Sequence, residues 1–106
     1  MRAYNINMRI LSSLLFAGAL AAAPNRPVQE FQTGAGTVKI TPIQHASLMI
    51  EAGGQVIHVD PWSQGNYEGL PAADLILITD IHGDHMDPKA IAQVQKSGTR
   101  IIAPKP

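Results

Sequence analysis

A loop rich in potential metal ligands directly follows the strongest strand signal in the chain. Residues 75–79, Leu-Ile-Leu-Ile-Thr, form an apolar, β-branched run that predicts a buried strand. Asp80, His82, Asp84 and His85 come next, within six residues. Imidazole and carboxylate groups are the side chains that bind zinc, iron or manganese. The pattern predicts a divalent metal site where a buried strand ends; the alternative is an ordinary polar loop between a strand and a helix.

A helix and a further strand are predicted after this loop. Asp87 can cap the first free amides of a helix, Pro88 suits its first turn, and Gly98 suits its end. The apolar stripe of the helix would consist of Ala90, Ile91 and Val94. Residues 100–103 predict the next strand, which would run parallel to the first because a helix connects the two.

The segment before the loop predicts antiparallel strands. Residues 38–43 alternate apolar and polar side chains, and Pro42 predicts that this strand ends there or lies at a sheet edge, because proline cannot donate to a ladder. Residues 47–51 and 55–60 flank a Gly-Gly pair, which predicts a hairpin. An antiparallel start followed by a strand–helix–strand unit indicates an α/β fold with a mixed sheet.

The order of these motifs resembles that of the metallo-β-lactamase-fold hydrolases. Residues 80–85 resemble the His-x-His-x-Asp-His signature of that family, with Asp80 in the first His position. His45 between two strands, preceded by Gln44 instead of the usual Gly, and a strand ending in Asp60-Pro61 resemble the branch of ascorbate-lactone hydrolases and N-acyl-phosphatidylethanolamine phospholipases. The resemblance covers residues 38–106 and implies the N-terminal part of an αββα sandwich.

The resemblance also implies which residues hold metal. Asp80 and His82 would bind one ion, and Asp84 and His85 would bind a second. Asp84 would in addition be catalytic, by orienting a metal-activated water. A carboxylate at position 80 favours manganese or iron over zinc, because it is a harder ligand than imidazole. The alternative is that Asp80 does not bind and one ion remains at Asp84 and His85.

Two residues outside the loop are predicted to support the site. His45 is expected on the substrate side or behind the ligands, unless it is a strand-end histidine bonded to backbone. Asp60 is expected to hydrogen-bond a ligand, unless it only starts an Asp-Pro turn. His58 is expected to be exposed or structural, and Trp62 and Tyr67 either line a cleft or pack.

Composition narrows the possible functions. The 106 residues include no cysteine, which removes disulfides, thiolate ligands and cysteine nucleophiles. A formal net charge of zero with eight Lys and Arg gives no electrostatic case for nucleic acid or an anionic membrane as a partner. The resemblance to the hydrolases implies a small-molecule substrate.

The N-terminus predicts export. Arg2 and Arg9 precede an apolar run at residues 10–23, and Ala19-Leu20-Ala21 fits a cleavage site, which is typical of a signal peptide. The run is shorter than the about 20 residues of a spanning helix, although an uncleaved anchor is the alternative. We therefore predict a signal peptide at 1–23, a linker at 24–36 and an incomplete metallo-β-lactamase-like domain at 37–106, with a periplasmic or secreted location.

Three functions compete at this stage. The leading hypothesis is a metal-dependent hydrolase that attacks an ester, lactone, amide or phosphodiester bond and is represented here by its N-terminal part. The second is a non-catalytic or degenerate metal-binding fragment of such a hydrolase. The third is a small structural or interaction domain whose loop binds nothing. The name of the fold does not imply β-lactam hydrolysis, because one fold supports many chemistries.

Overall fold

The structure, a computed structural model, describes residues 25–106. These residues form a six-stranded sheet in which the strand order is the chain order. The strands are β1 (Gln29–Thr33), β2 (Gly36–Gln44), β3 (Ser47–Ala52), β4 (Gln55–Val59), β5 (Leu75–Leu77) and β6 (Arg100–Ile102). In the described range, one helix, α1 (Pro88–Val94), connects β5 to β6. The predicted signal peptide lies outside the described residues.

The sheet is mixed, as predicted. β1 to β4 pair antiparallel in sequence, whereas β4 with β5 and β5 with β6 are parallel pairs. Gly53 and Gly54 close the β3–β4 hairpin with φ angles of 57° and 75°. Both angles suit a primed two-residue turn, which matches the twist of the strands that it joins. The α/β class and the hairpin are confirmed.

β1 lies within residues 24–36, where the sequence predicted a linker. Its five residues are all exposed, so no alternation of buried and exposed positions marks it. The strand exists because Gln29 to Thr33 pair with Ile40 to Gly36 across a tight turn. The hydroxyl of Thr33 fixes that turn by donating to the carbonyl of Gly36 over 2.6 Å. Residues 29–33 are therefore part of the sheet.

The position of Pro42 also differs from the prediction of an edge strand. β2 is flanked by β1 on one side and β3 on the other. Pairing with β1 reaches only to Ile40, so Pro42 lies beyond the part of β2 that β1 covers. A proline is tolerated there because the ladder on that side has already ended.

The helix begins where the sequence predicted and ends earlier. Asp87 accepts a hydrogen bond from the Lys89 amide over 3.0 Å, and Pro88 is the first helical residue. The helix stops at Val94 because Gln95 is extended, with φ −76° and ψ 157°. Gly98, predicted as the helix terminator, lies instead in the turn before β6 and has φ 86°.

The apolar core lies against the parallel half of the sheet. Its buried members come from β5, the loop before it, the residue that follows it and the helix: Tyr67, Ala73, Ile76, Ile78 and Val94. Ala90 of the helix is also fully buried, and Ile91 packs against the cluster, so the predicted apolar stripe is confirmed. No helix within residues 25–106 is long and apolar enough to cross a membrane.

Candidate metal centre

The end of the buried strands brings distant loops together. β4 and β5 are parallel, so the residues that follow them, Asp60 and the loop at 80–85, leave the sheet at the same edge. β3 is antiparallel to β4, with Leu48 opposite Val59, and this pairing brings the preceding turn at His45 to the same edge. The amide of Asp60 donates to the carbonyl of Leu77 over 2.9 Å and fixes the two strand ends.

Three side chains meet at this edge. The Nε2 atom of His45 lies 3.1 Å from Oδ2 of Asp84, and the Nε2 atom of His85 lies 3.7 Å from the same oxygen. His45, Asp84 and His85 each offer one ligand atom, and these atoms lie within 4.8 Å of one another. Two imidazole nitrogens and one carboxylate oxygen are a donor set that suits a divalent transition metal.

Asp60 fixes the orientation of His85. One carboxylate oxygen of Asp60, which is only 2% exposed, lies 2.9 Å from Nδ1 of His85. With Nδ1 donating to this carboxylate, the lone pair of His85 is on Nε2, the atom nearer to Asp84. Asp60 therefore contacts the ring nitrogen of His85 that does not face Asp84.

Thr79 completes the hydrogen bonding of Asp60. The Thr79 amide donates to one oxygen over 2.7 Å, and the Thr79 hydroxyl donates to the other over 2.5 Å. Burial opposes ionisation of Asp60, but the bonds from Thr79 and His85 outweigh it and lower the pKa of this carboxyl below its ordinary value. The same contact with Asp60, opposed by desolvation and aided by the charge of Asp84, raises the pKa of His85.

The backbone is strained at two residues of this site. His45 and Asp60 have φ angles of 55° and 45°, and they are the non-glycine residues with positive φ in the described part of the chain. Such conformations cost of order 1–3 kcal/mol and persist where the surroundings fix them. The Ser47 hydroxyl joins the two segments by donating to the Asp60 carbonyl over 2.6 Å.

The first half of the loop does not join the three-residue group. Asp80 accepts a hydrogen bond from the His82 amide over 2.9 Å and also contacts Nδ1 of the same imidazole. The His82 amide and side chain accordingly lower the pKa of Asp80. The structure thus pairs Asp80 with His82, and it brings Asp84 and His85 together with His45.

His45 is the site residue whose place the sequence did not reveal. It was expected on the substrate side or behind the ligands, whereas its Nε2 atom lies among the candidate ligand atoms. Its contact with Asp84 spans 39 residues of sequence, and no local pattern encodes such a contact. The unusual backbone angle of His45 depends on its turn and is likewise invisible in a single sequence.

His58 is structural and buried, not exposed. It is 1% exposed, and its Nε2 atom lies 3.0 Å from the carbonyl oxygen of Pro71, to which it donates. Burial lowers the pKa of His58, and that hydrogen bond partly offsets the shift.

Asp87 does more than cap the helix, because it also accepts a hydrogen bond from the Ser63 amide over 2.8 Å. This bond ties the loop after Asp60 to the start of the helix.

Comparison with known proteins shows the family of this chain. A family model described as "Beta-lactamase superfamily domain" matches residues 39–104. This range includes most of β2, all of β3 to β6, and the residues His45, Asp84 and His85. The chain belongs to the beta-lactamase superfamily. This confirms the N-terminal part of a metallo-β-lactamase-like fold.

Individual members of the superfamily are similar over most of the described residues. The chain is 36% identical over 86 residues to a UPF0173 metal-dependent hydrolase of Thermodesulfovibrio yellowstonii, covering 73% of this chain and 30% of that protein. A UPF0173 metal-dependent hydrolase of Cupriavidus taiwanensis is 40% identical over 85 residues, covering 70% and 29%. The chain thus spans under a third of the length of these curated relatives.

A solved structure extends the likeness to three dimensions. The crystal structure of a metal-dependent hydrolase from Parabacteroides distasonis superposes with a TM-score of 0.72 and 47% sequence identity. The match covers 76% of this chain and 38% of that one. Proteins named as metal-dependent hydrolases are thus similar to this chain in sequence, and one of them is similar in structure.

Proposed function

We propose that this chain forms part of a metal-dependent hydrolase whose metal is held by His45, Asp84 and His85. The observation that carries the proposal is the pairing of the buried Asp60 with Nδ1 of His85, which orients Nε2 toward Asp84. A carboxylate behind a ligating imidazole is the arrangement that fixes its tautomer and raises its basicity as a ligand. An isolated polar loop would have no need of it.

The donor set fits one divalent ion. Two imidazoles and one carboxylate match three-ligand catalytic zinc sites, which leave a position for water. Because Asp80 pairs with His82, it contributes no oxygen to this group, and the argument for manganese or iron from a carboxylate at position 80 loses its basis. We therefore propose zinc at the three-residue group.

The chemistry is hydrolysis of an ester, lactone, amide or phosphodiester bond. A bound divalent ion would supply an acidified water and positive charge for the oxyanion that develops on the substrate. Asp84 is part-exposed, so its carboxylate can also accept a hydrogen bond from the attacking water and orient it. His85 is held from behind by Asp60, and this contact keeps the ligand atoms in place without rearrangement.

Metal binding without hydrolysis is the second candidate. The observation that favours it is the contact between Asp80 and His82, which closes the first half of the signature on itself. A second ion at Asp80 and His82 would have to break that contact. A site with one ion and no second cation would stabilise less negative charge in a transition state.

Metal content of the purified chain tests the proposal. After zinc loading and desalting, we expect about one equivalent of zinc by mass spectrometry, and we expect Asp84→Asn and His85→Gln to lose it. Glu30→Gln, which removes an equal charge from an exposed position on β1, should retain zinc. A wild-type chain that folds and holds no zinc would refute the proposal.

Two further measurements separate the candidates. His82→Gln should retain zinc if the three-residue group is the site, and it should lose zinc if the first half of the signature binds. Turnover of aryl ester, lactone and aryl phosphodiester substrates by the zinc-loaded chain distinguishes a hydrolase from a binding fragment. If the chain binds zinc but shows no turnover, or only turnover that persists in Asp84→Asn, the second candidate is favoured.

The location of the protein is also a proposal. Arg2 and Arg9 before the apolar run at residues 10–23 support export through a cleaved signal peptide. N-terminal sequencing of the protein recovered from a periplasmic fraction tests it. A start at Met1 in the cytoplasmic fraction would contradict export.

A further inference from the structure

Trp62 is the aromatic residue beside the three-residue group. Its ring centroid lies 5.7 Å from that of His45, with the ring planes 59° apart. The His45 ring also lies 6.1 Å from that of His85 in an edge-on arrangement. Aromatic rings attract at centroid separations of roughly 4.5–7 Å, so both neighbours restrict the His45 ring.

His45 needs such restriction more than the other two members of the group. The His45 side chain is 56% exposed, whereas that of His85 is 23% exposed. Among the described residues, the side chain of His45 forms one hydrogen bond, to Asp84. Within residues 25–106, no buried carboxylate holds its second ring nitrogen in the way that Asp60 holds His85. Since an exposed side chain populates several rotamers, the packing of Trp62 supplies the constraint that hydrogen bonding does not.

The backbone of Trp62 is fixed with unusual completeness for a loop. The Tyr67 hydroxyl accepts from the Trp62 amide over 2.8 Å and donates to the Trp62 carbonyl over 3.0 Å. The Gly65 amide also donates to that carbonyl, over 2.9 Å. The turn is tight, because a Cβ added at Gly65 would lie 2.8 Å from the Ile43 side chain and 3.2 Å from the Trp62 carbonyl.

The next residue is anchored to the helix. Asp87, the N-cap of α1, accepts from the Ser63 amide, so the segment that carries Trp62 is tied to both the core residue Tyr67 and the helix start. These hydrogen bonds hold one half-buried indole beside one exposed imidazole.

We propose that Trp62 is a positioning residue for metal binding, which holds His45 in the orientation that brings its Nε2 atom to Asp84. This inference rests on the proposed function, because it assigns to Trp62 a role at the same site. Tyr67 acts through Trp62: its hydroxyl sets the backbone from which the indole reaches the His45 ring.

Zinc affinity of four variants of the full chain tests the role. By titration calorimetry, Trp62→Ala should weaken zinc binding by about tenfold, the low end for residues that orient ligands. Trp62→Phe, which keeps an aromatic face, should recover most of that loss. Tyr67→Phe, which keeps the indole and removes the hydroxyl, should give an intermediate value. Phe31→Ala removes an exposed aromatic ring from β1 and should leave the affinity unchanged.

Indole fluorescence gives a readout that a merely structural role would not change. Trp62 is the one tryptophan of the sequence, so its emission reports this position alone. Co²⁺ bound beside the indole should quench the emission at one equivalent. His45→Ala keeps the indole and should abolish quenching at that ratio, and Tyr67→Phe should reduce it.

The outcomes separate this inference from the proposed function. Wild-type zinc affinity in Trp62→Ala, or an equal loss in Trp62→Ala, Trp62→Phe and Phe31→Ala, would overturn the positioning role while leaving the metal site in place. Failure of the wild-type chain to bind zinc or Co²⁺ would overturn both. Circular dichroism of each variant confirms that the compared chains are folded.

Discussion

β3 begins after the turn at His45 and Ala46 and ends before the turn at Gly53 and Gly54, and each turn joins it to an antiparallel neighbour. At the Gly-Gly turn, both positive φ angles fall on residues without a side chain, so the turn is relaxed. At the other turn, a φ of 55° falls on a histidine. The turn at His45 and Ala46 would be easier to form with glycine at position 45, but that position carries an imidazole.

The two turns also differ in what surrounds them. A Cβ at Gly53 or Gly54 would meet nothing within 4 Å, so that end of β3 is open. The His45 end is packed between Trp62 and His85 and linked through Ser47 to Asp60. In the described residues, backbone strain is therefore found where the candidate metal ligands converge. Strained residues persist where many surrounding contacts fix their conformation.

The largest effect on stability is expected from removal of the Asp60 carboxylate, which anchors the end of β3 near His45. Asp60→Ala leaves the Thr79 amide, the Thr79 hydroxyl and the His85 imidazole without their shared acceptor. We expect the free energy of unfolding of the metal-free chain to fall by about 3 kcal/mol, measured by urea denaturation. Glu30→Ala on exposed β1 is the control and should change it by less than about 0.5 kcal/mol. A fall as small as that of the control would show that the anchor contributes little.

The second-largest effect is expected from a substitution that strains the Gly53-Gly54 turn. Gly54→Ala places a side chain at φ 75°, and the left-handed conformation costs about 1–2 kcal/mol for an L-residue. We expect the unfolding free energy to fall by about that amount while zinc affinity stays constant. Gly34→Ala is the matched control, because its position is open and its φ is not positive. A loss of zinc affinity in Gly54→Ala would mean that the two turns are not independent.

A smaller effect of opposite sign is expected at the strained turn. His45→Gly relieves left-handed strain of about 1–2 kcal/mol and adds a glycine entropy cost of about 0.5–1 kcal/mol. The metal-free chain should therefore become more stable by about 0.5 kcal/mol, and zinc binding should be lost. Differential scanning calorimetry with and without zinc measures both. A variant less stable than the wild type would show that the His45 ring contributes more to packing than its backbone costs.

Sequence patterns predicted the parts of this comparison that depend on local chemistry. The Gly-Gly turn, the buried strand at residues 75–79 and the helix start at Asp87 all follow from backbone preferences within a few residues. The observed strand β5, Leu75–Leu77, is shorter than that run. β1 gave no signal because every residue in it is exposed, which leaves no alternation to detect.

The site was predictable in its residue types and not in its grouping. Asp84 and His85 are neighbours in the sequence, whereas His45 reaches them only through the β2–β3 turn. Asp80 and His82 are two residues apart, and at that spacing a carboxylate can bond a nearby backbone amide instead of a ligand partner. Which of these competing contacts forms depends on the folded sheet, so the motif alone could not decide it.

The smallest expected effect is a dependence of the free energy of unfolding on pH, to which His85 and His58 contribute slopes of opposite sign. His85 has a raised pKa, so its contribution to stability is complete below the unfolded value of 6.5 and is lost as the pH rises through the folded value. His58 has a lowered pKa, so its contribution is present above 6.5 and is lost as the pH falls through its folded value. The stability of the metal-free chain should be greatest near pH 6.5.

Two variants resolve the slopes. His85→Gln should flatten the alkaline side of the profile, and His58→Gln should flatten the acid side, in urea denaturation repeated across the pH range. Below about pH 4, protonation of Asp60 adds a further loss, because its lowered pKa means that the folded state favours the carboxylate. A profile in which stability rises steadily from pH 5 to pH 9 would contradict the assignment for His85.

A sheet whose strands lie in chain order can also be assembled in the order of synthesis. Each strand from β2 to β6 pairs with the strand made just before it, so none of these five strands has to wait for a later segment before it finds a partner. On the ribosome, His45 would emerge and turn well before Asp84 and His85 exist. The candidate metal site is thus completed only when the loop after β5 emerges and reaches a hairpin that is already in place.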